Sequence, residues 1–349
     1  MIGAGRLGCS LALALRSQGA HLAGFTAGTP EGRARAEVWL GQPAAADMGA
    51  LASRSPHLYL IATPDDALAA VARELGKELG QAAASGDTGS MWADGAPATP
   101  GLVAPLVAHT SGATSVAVLS PCEEAGAATF VFHPLQTFAD PASGASRFAG
   151  AAVAVTPSVR VQTTPEGGAS PSAAFYDPSG AEAQRAAEAL PAAVFGFGLA
   201  RALGARPFLL QDDKRTLYHA AATVACNYLV TLEHHAERLF VEAGLDEREA
   251  LALFLPLVTA TLDNLREQGS VAALTGPLSR GDTRTIAGHL RALANGAPHL
   301  LPLYRVLGLA TLEMVRARAD IHPAVIGDMA NILTAFASPP EQEPTEQGA

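Results

Sequence analysis

The chain has 349 residues, enough for two average domains, and at 49% hydrophobic and 16% charged residues it can bury substantial cores. A formal net charge of -10 removes the basic face that a nucleic-acid partner needs and makes an anionic membrane a poor partner. Cys9, Cys122 and Cys226 lie far apart with no metal-ligand spacing, and no long apolar run or charged leader stands out, so a soluble cytoplasmic protein with buried free thiols is expected.

In chain order, Met1-Ile2 lead directly into Gly3-Ala4-Gly5-Arg6-Leu7-Gly8, then an apolar run from Cys9 to Leu15. The spacing G-x-G-x-x-G between a strand and a helix over Ser10–Ser17 is a dinucleotide-binding fingerprint. Gly3 would allow the tight turn, Gly5 the approach of a pyrophosphate to backbone, and Gly8 close packing of helix on sheet. The helix N-terminus, with Arg6 and Leu7 beside the phosphates, would add free N–H groups and the positive end of its dipole. Only two residues precede Gly3, whereas a central strand takes roughly 5, so the natural start is expected a few residues upstream. His21–Phe25 reads as the second strand. The acidic residue that grips an adenosine ribose about 20 residues after the glycines is absent. Thr26, Thr29 and Arg33 could instead contact a 2′-phosphate, which favours NADP over NAD; alternatively, Arg33 and Arg35 are only the solvated face of the next helix.

His57–Ala62 (HLYLIA) reads as a buried strand, and Thr63-Pro64-Asp65-Asp66 as the cap of an amphipathic helix through Leu79, with Thr63 and Pro64 beside the cofactor. Two stretches, 81–100 and 156–180, have the composition of loop insertions. Leu102–Ala108 leads into His109-Thr110-Ser111-Gly112, and Thr129–Phe132 into His133-Pro134-Leu135-Gln136-Thr137-Phe138. Ligands bind beyond the carboxyl ends of parallel strands, which makes His109, Ser111, His133 and Gln136 candidate substrate contacts. A histidine at a strand end also serves commonly as a hydrogen bonder that fixes its loop. A strand at Ala151–Thr156, a helix near Glu182–Leu190 and a strand near Pro207–Leu210 complete a first domain over residues 1–210.

From Asp212 the pattern becomes helical, giving a second domain over 211–337 and a polar tail, 338–349, expected to be disordered. Asp212–Ala243 reads as one helix stopped by Gly244. On it His219, Thr223 and Asn227 fall at i, i+4 and i+8 and form one polar stripe. The stripe is either the wall of a site or a polar contact between domains. Lys214, just over one turn earlier, is a candidate cation or proton donor. Ala273–Asp282 (ALTGPLSRGD) interrupts the helices and presents Arg280, suited to a carboxylate or phosphate. Asp282 is placed to cap a helix over Thr283–Ala294, and further helices follow at Leu301–Ala317 and Pro323–Phe336.

Together GAGRLG, ATPDD, HTSG, HPLQTF, LYHAAATVACNYL and LTGPLSRGD resemble a bacterial family of Rossmann-like proteins with a C-terminal helical domain of unknown function, whose members are described as NAD(P)-dependent oxidoreductases. More distantly, the layout is similar to ketopantoate reductase, pyrroline-5-carboxylate reductase and the 6-phosphogluconate dehydrogenase superfamily. The resemblance implies a Rossmann-type doubly wound parallel sheet followed by an all-helical, 6-phosphogluconate dehydrogenase C-terminal-like second domain. It also departs from ketopantoate reductase, because His219-x-x-x-Thr223 or Thr223-x-x-x-Asn227 stands where that enzyme has a Lys-x-x-x-Asn pair.

The expected reaction is hydride transfer from NADPH to a small carbonyl or imine such as a keto acid. His219 would be the general acid, since imidazole as a class titrates near neutrality. Thr223 and Asn227 would orient the substrate, Arg280 would hold its carboxylate, and His109 and Ser111 would line the nicotinamide side. The alternative is a non-catalytic NADP(H)-binding sensor or assembly protein. His109, His133 and His219 lack an acidic or thiolate partner at a recognisable spacing, so no metal is expected. A homodimer through the long helices is expected because their apolar faces exceed what short loops could cover.

Overall fold

In the computed structural model, residues 1–84, 105–158 and 190–335 are described. The expected helix near Glu182–Leu190 and the expected disordered tail therefore lie almost entirely outside the described residues. The chain divides into two compact units, Met1–Val224 and Ala225–Ala349.

The first unit is built on a sheet of five strands in the spatial order of the chain: β1 (Leu58–Ile61), β2 (Leu106–His109), β3 (Ala128–Leu135), β4 (Ala152–Pro157) and β5 (Arg206–Leu209). All neighbours are parallel except β3 and β4, which run antiparallel with His133 opposite Ala154. Beyond β1 the sheet is extended by single bridges: Ile2 pairs in parallel with Ile61 on one side and with Thr26 on the other. The chain therefore starts inside the sheet, moves outward to Thr26, then returns past Ile2 to β1. That reversal of direction creates a switch point beside Ile2, where open α/β sheets bind their ligands.

Alternation along the strands explains the two covered faces. Leu60, Leu106, Ala108, Phe130, Phe132, Val153 and Val155 join one buried cluster with residues of helices α1 (Arg6–Ser17) and α2 (Pro30–Leu40). Tyr59, Ile61 and Val107 point the other way, into a cluster with α3 (Met48–Ala52), α4 (Asp65–Ala84) and α5 (Ser120–Glu124). Leu68, Ala72, Leu75 and Leu79 of α4 form one buried helical stripe. Each such leucine contributes about 1.5–3 kcal/mol of transfer free energy. Helices α6 (Pro141–Ser146) and α7 (Pro191–Ala202) complete the described helices of the sheet region, and the long helix α8 (Arg215–Glu242) begins in this unit.

Several expectations need correction. His21–Phe25 forms no regular strand; the segment joins the sheet only through the single bridge of Thr26 to Ile2. The helix after the glycines begins at Arg6 rather than Ser10. Gln81–Ala84 continues α4 instead of starting a loop. His133 lies within β3, not after it, since the antiparallel ladder with β4 carries the strand on to Leu135. Asp212–Lys214 is a separate 3₁₀ turn before α8.

The second unit consists of the rest of α8 with α9 (Ala250–Ala273), α10 (Thr283–Gly296), α11 (Leu301–Arg318) and α12 (Pro323–Ala335). Gly244, at φ +104°, follows the end of α8, where its N–H bonds Val241 O. Asp282 accepts from Thr285 N at 3.0 Å, the expected N-cap. Ile286, Leu290, Leu312, Val315, Met329 and Leu333 form the core of this unit.

Candidate functional site

The three fingerprint glycines meet three different surroundings. Gly3 has φ +86°, and a Cβ there would lie 2.8 Å from the carbonyl group of Ala62, so the turn admits no side chain. At Gly8 a Cβ would lie 2.3 Å from Gly3 O, which seats the helix against the turn. At Gly5 nothing lies within 4 Å: the backbone faces open space at the N-terminus of α1, and no side chain caps that helix. Next to the turn, the buried hydroxyl of Thr63 has no hydrogen-bond partner. An open backbone approach, an uncapped helix N-terminus and an orphaned donor fit a dinucleotide phosphate. Arg6 and Gly5 are exposed, Leu7 is half-buried, and Pro64 is exposed one residue after Thr63.

Beyond Thr26, whose carbonyl accepts from Gly3 N and Ala4 N, a cavity of about 330 Å³ opens at the start of α2. Gly28, Thr29, Pro30, Arg33 and Glu37 line it. The Thr29 hydroxyl caps α2 by accepting from Gly32 N at 3.0 Å, and Glu37 accepts from Ala44 N at 3.0 Å. Arg33 is therefore the cation placed at this opening.

The second group of residues gathers at the ends of β2 and β3. His109, fully buried, accepts from Ser111 N on Nδ1, so its Nε2 carries the proton and donates to Ser115 O at 3.3 Å. Burial first, and then the Arg215 charge, pushes this imidazole down to about 3, so it is neutral. The Ser111 hydroxyl donates to Thr114 Oγ1 and accepts from Thr114 N, which closes the loop on itself. His109 and Ser111 thus hold the loop; neither side chain is left open.

His133 Nδ1 lies 3.0 Å from the Tyr218 hydroxyl, and their rings meet edge to face. The His219 ring crosses that of His133 at a centroid distance of 6.1 Å. Gly112 sits between them: a Cβ there would lie 2.3 Å from His219 Nδ1 and 2.8 Å from His133 Nε2. Burial, with the charge of Arg215 next, lowers His133 to about 4, and burial raises the Tyr218 phenol to about 12. At neutral pH the pair is an uncharged imidazole facing a protonated phenol. With Tyr218 donating to Nδ1, the ring proton of His133 lies on Nε2, on the side of Gly112 and His219.

Two residues not singled out from the sequence assemble this cluster. Asp212 accepts from the Ser115 hydroxyl and, at 2.9 Å, from Val116 N. Arg215, 1% exposed, donates to the carbonyls of Ser111, Gly112 and Thr114 and to the Thr156 hydroxyl. The other expected residues have surroundings of their own. Lys214 is exposed and paired with Asp213 at 2.7 Å. Thr223 donates to the His219 carbonyl, and Gln136, exposed after β3, accepts from Thr137 N. Asn227 and Arg280 are exposed residues of the second unit. Among the described residues no group of three or more His, Cys, Asp or Glu side chains could hold a metal ion.

One family model, a Rossmann-like domain, matches residues 1–134, and a second, the domain of unknown function DUF2520, matches residues 182–311. The chain thus carries a Rossmann-like domain followed by a DUF2520 domain, the pairing that its motifs resemble. Among solved structures it is similar to a candidate NADP oxidoreductase of Bacteroides fragilis, with 21% identity over 88% of this chain and 94% of that one and a TM-score of 0.59. A Thermotoga maritima protein shares 19% identity over 91% and 98% of the two chains at a TM-score of 0.57. A 1-pyrroline-5-carboxylate reductase of Streptococcus pyogenes shares 15% identity over 95% and 96%, at 0.52. These likenesses are of fold. A search of curated proteins finds no match.

Proposed function

We propose that the protein is an NADP-dependent oxidoreductase that reduces a small carbonyl or imine. The observation that carries this reading is the glycine turn at the switch point, with Gly5 open to solvent and the Thr63 hydroxyl unpartnered beside it. The likeness of fold to a candidate NADP oxidoreductase and to a pyrroline-5-carboxylate reductase supports it. Gly5, Arg6, Leu7 and Thr63 hold the pyrophosphate, and Thr29 and Arg33 receive a 2′-phosphate at the start of α2. When bound, the nicotinamide supplies a hydride to an electrophilic carbon. The protein supplies the proton: His219, exposed beside Gly112, delivers it to the developing alkoxide or amine. His133, kept neutral, and Tyr218, kept protonated, form the hydrogen-bonded wall behind His219. His109 and Ser111 shape that wall through the loop they hold.

The test is NADPH oxidation in the presence of a panel of small keto acids, ketones and cyclic imines, with native protein and His219→Ala. The reading expects turnover with at least one class and a loss of about 10²–10⁴-fold in His219→Ala at unchanged NADPH affinity. Equal turnover in the variant removes His219 from proton transfer.

We further propose a homodimer built on the second unit. Leu253, Leu257 and Leu265 of α9 and Val306 of α11 are large apolar side chains exposed to solvent, as is Val230 of α8. Exposed apolar side chains in this number support an association surface.

A further inference from the structure

We propose that Arg215 is the positioning residue of this site: its guanidinium fixes the 111–114 loop against the first turn of α8 and so sets where Tyr218 and His219 meet His133. The inference rests on the reading of the His133–Tyr218–His219 cluster as the reducing site.

The geometry is that of a clamp rather than an ion pair. Nε donates to Thr114 O at 2.8 Å, Nη1 to Thr156 Oγ1 at 3.0 Å, and Nη2 to the carbonyls of Ser111 and Gly112. Every hydrogen-bond acceptor of the guanidinium is a neutral group, while the Asp212 carboxylate and, more weakly, that of Asp65 act on this buried cation through their charge. That arrangement is costly unless the acceptors are fixed, and it ties Gly112, the residue between the two histidine rings, to the helix that carries one of them. Asp212, one turn earlier, holds the next part of the same loop through Ser115 and Val116. The loop is therefore attached at both ends of the 3₁₀ turn that leads into α8, through Asp212 and Arg215. The Thr156 hydroxyl passes the connection on to the residue after β5, donating to Leu210 O at 2.6 Å. Thr156 sits opposite Val131 of β3, two residues before His133.

The clamp also carries a charge. Arg215 faces both His109 and His133, while Tyr218 and His219 approach His133 from α8. A fixed cation there disfavours a second positive charge on either buried ring. Lysine would preserve the charge and lose the fork, because a single ammonium cannot reach three carbonyls in fixed directions. Methionine would fill similar volume and lose both.

The experiment compares full-length native protein with Arg215→Lys and Arg215→Met, using ring nitrogen NMR shifts of His133 and His219 against pH, assigned through His133→Gln and His219→Gln. NADPH affinity is measured on the same samples. In Arg215→Met the His133 midpoint is expected to rise by about one unit or more from its native position, and both rings to shift. In Arg215→Lys the rings shift while the midpoint stays low. Native ring shifts and a native midpoint in a folded Arg215→Met would overturn the proposal. If that variant does not fold, native ring shifts in Arg215→Lys would overturn it in the same way. Failure of the native protein to bind NADPH would remove the oxidoreductase reading and leave the ring measurements to decide the clamp.

Discussion

Gly5 and Gly8 occupy one turn, yet a side chain at each would act on a different property. A methyl at Gly8 would press within 2.3 Å of Gly3 O, and backbone cannot step aside as a flexible side chain can. Gly8→Ala is expected to lower stability by about 1–3 kcal/mol in denaturant titration. Gly5→Val places its side chain in open space at an ordinary φ of -80°, so the unfolding midpoint should stay put. The same side chain would stand where a pyrophosphate approaches, and NADPH affinity should fall by about tenfold or more. Equal affinity of Gly5→Val and native protein would separate the turn from cofactor binding. Gly112→Ala acts in a third way, by pushing against the His219 and His133 rings, and should reduce turnover without touching NADPH affinity.

At the scale of elements, two buried histidines, His109 at the end of β2 and His133 within β3, shape how the first unit responds to acid. His109 and His133 titrate at about 3 and about 4 in the folded protein, well below an unfolded histidine near 6.5. Between those values the unfolded chain binds protons that the folded chain refuses. Stability is therefore full above about pH 6.5 and declines as the pH falls towards 4. His133→Gln removes one of these groups and should flatten that decline in chemical denaturation at several pH values; an unchanged slope would show that His133 is not buried neutral. The elements also show what sequence can and cannot reveal. The glycine turn, the strand His57–Ala62 and the Asp282 cap were legible because each is a local pattern whose residues lie within one turn of one another. The ends of β2 and β3 were legible as polar clusters after apolar runs, although the antiparallel partner that extends β3 through His133 was not. Arg215 and Tyr218 were missed, as was the role of Asp212. In the sequence Asp212-Asp213-Lys214-Arg215 looks like the solvated start of a helix. Only the fold brings carbonyls 101 to 104 residues away onto that guanidinium and buries it. No helix among the described residues is long and apolar enough to cross a membrane.

For the whole molecule, the second unit exposes more apolar surface on its long helices than its own core requires. Leu253 is 59% exposed and Leu257 65%, values that suit a partner rather than water. Sedimentation equilibrium is expected to give a dimer of this 35.6 kDa chain, and Leu253→Glu with Leu257→Glu to give a folded monomer whose thermal midpoint no longer depends on protein concentration. A native monomer at all concentrations would contradict the homodimer. The NADP reading is also a statement about the whole chain, because it joins the glycine turn to the opening at α2. The most direct measurement is a fluorescence titration of purified protein with NADPH and with NADH. The account predicts saturable binding of both, tighter for NADPH because Arg33 and Thr29 face the 2′-phosphate. Binding of neither nucleotide would contradict it.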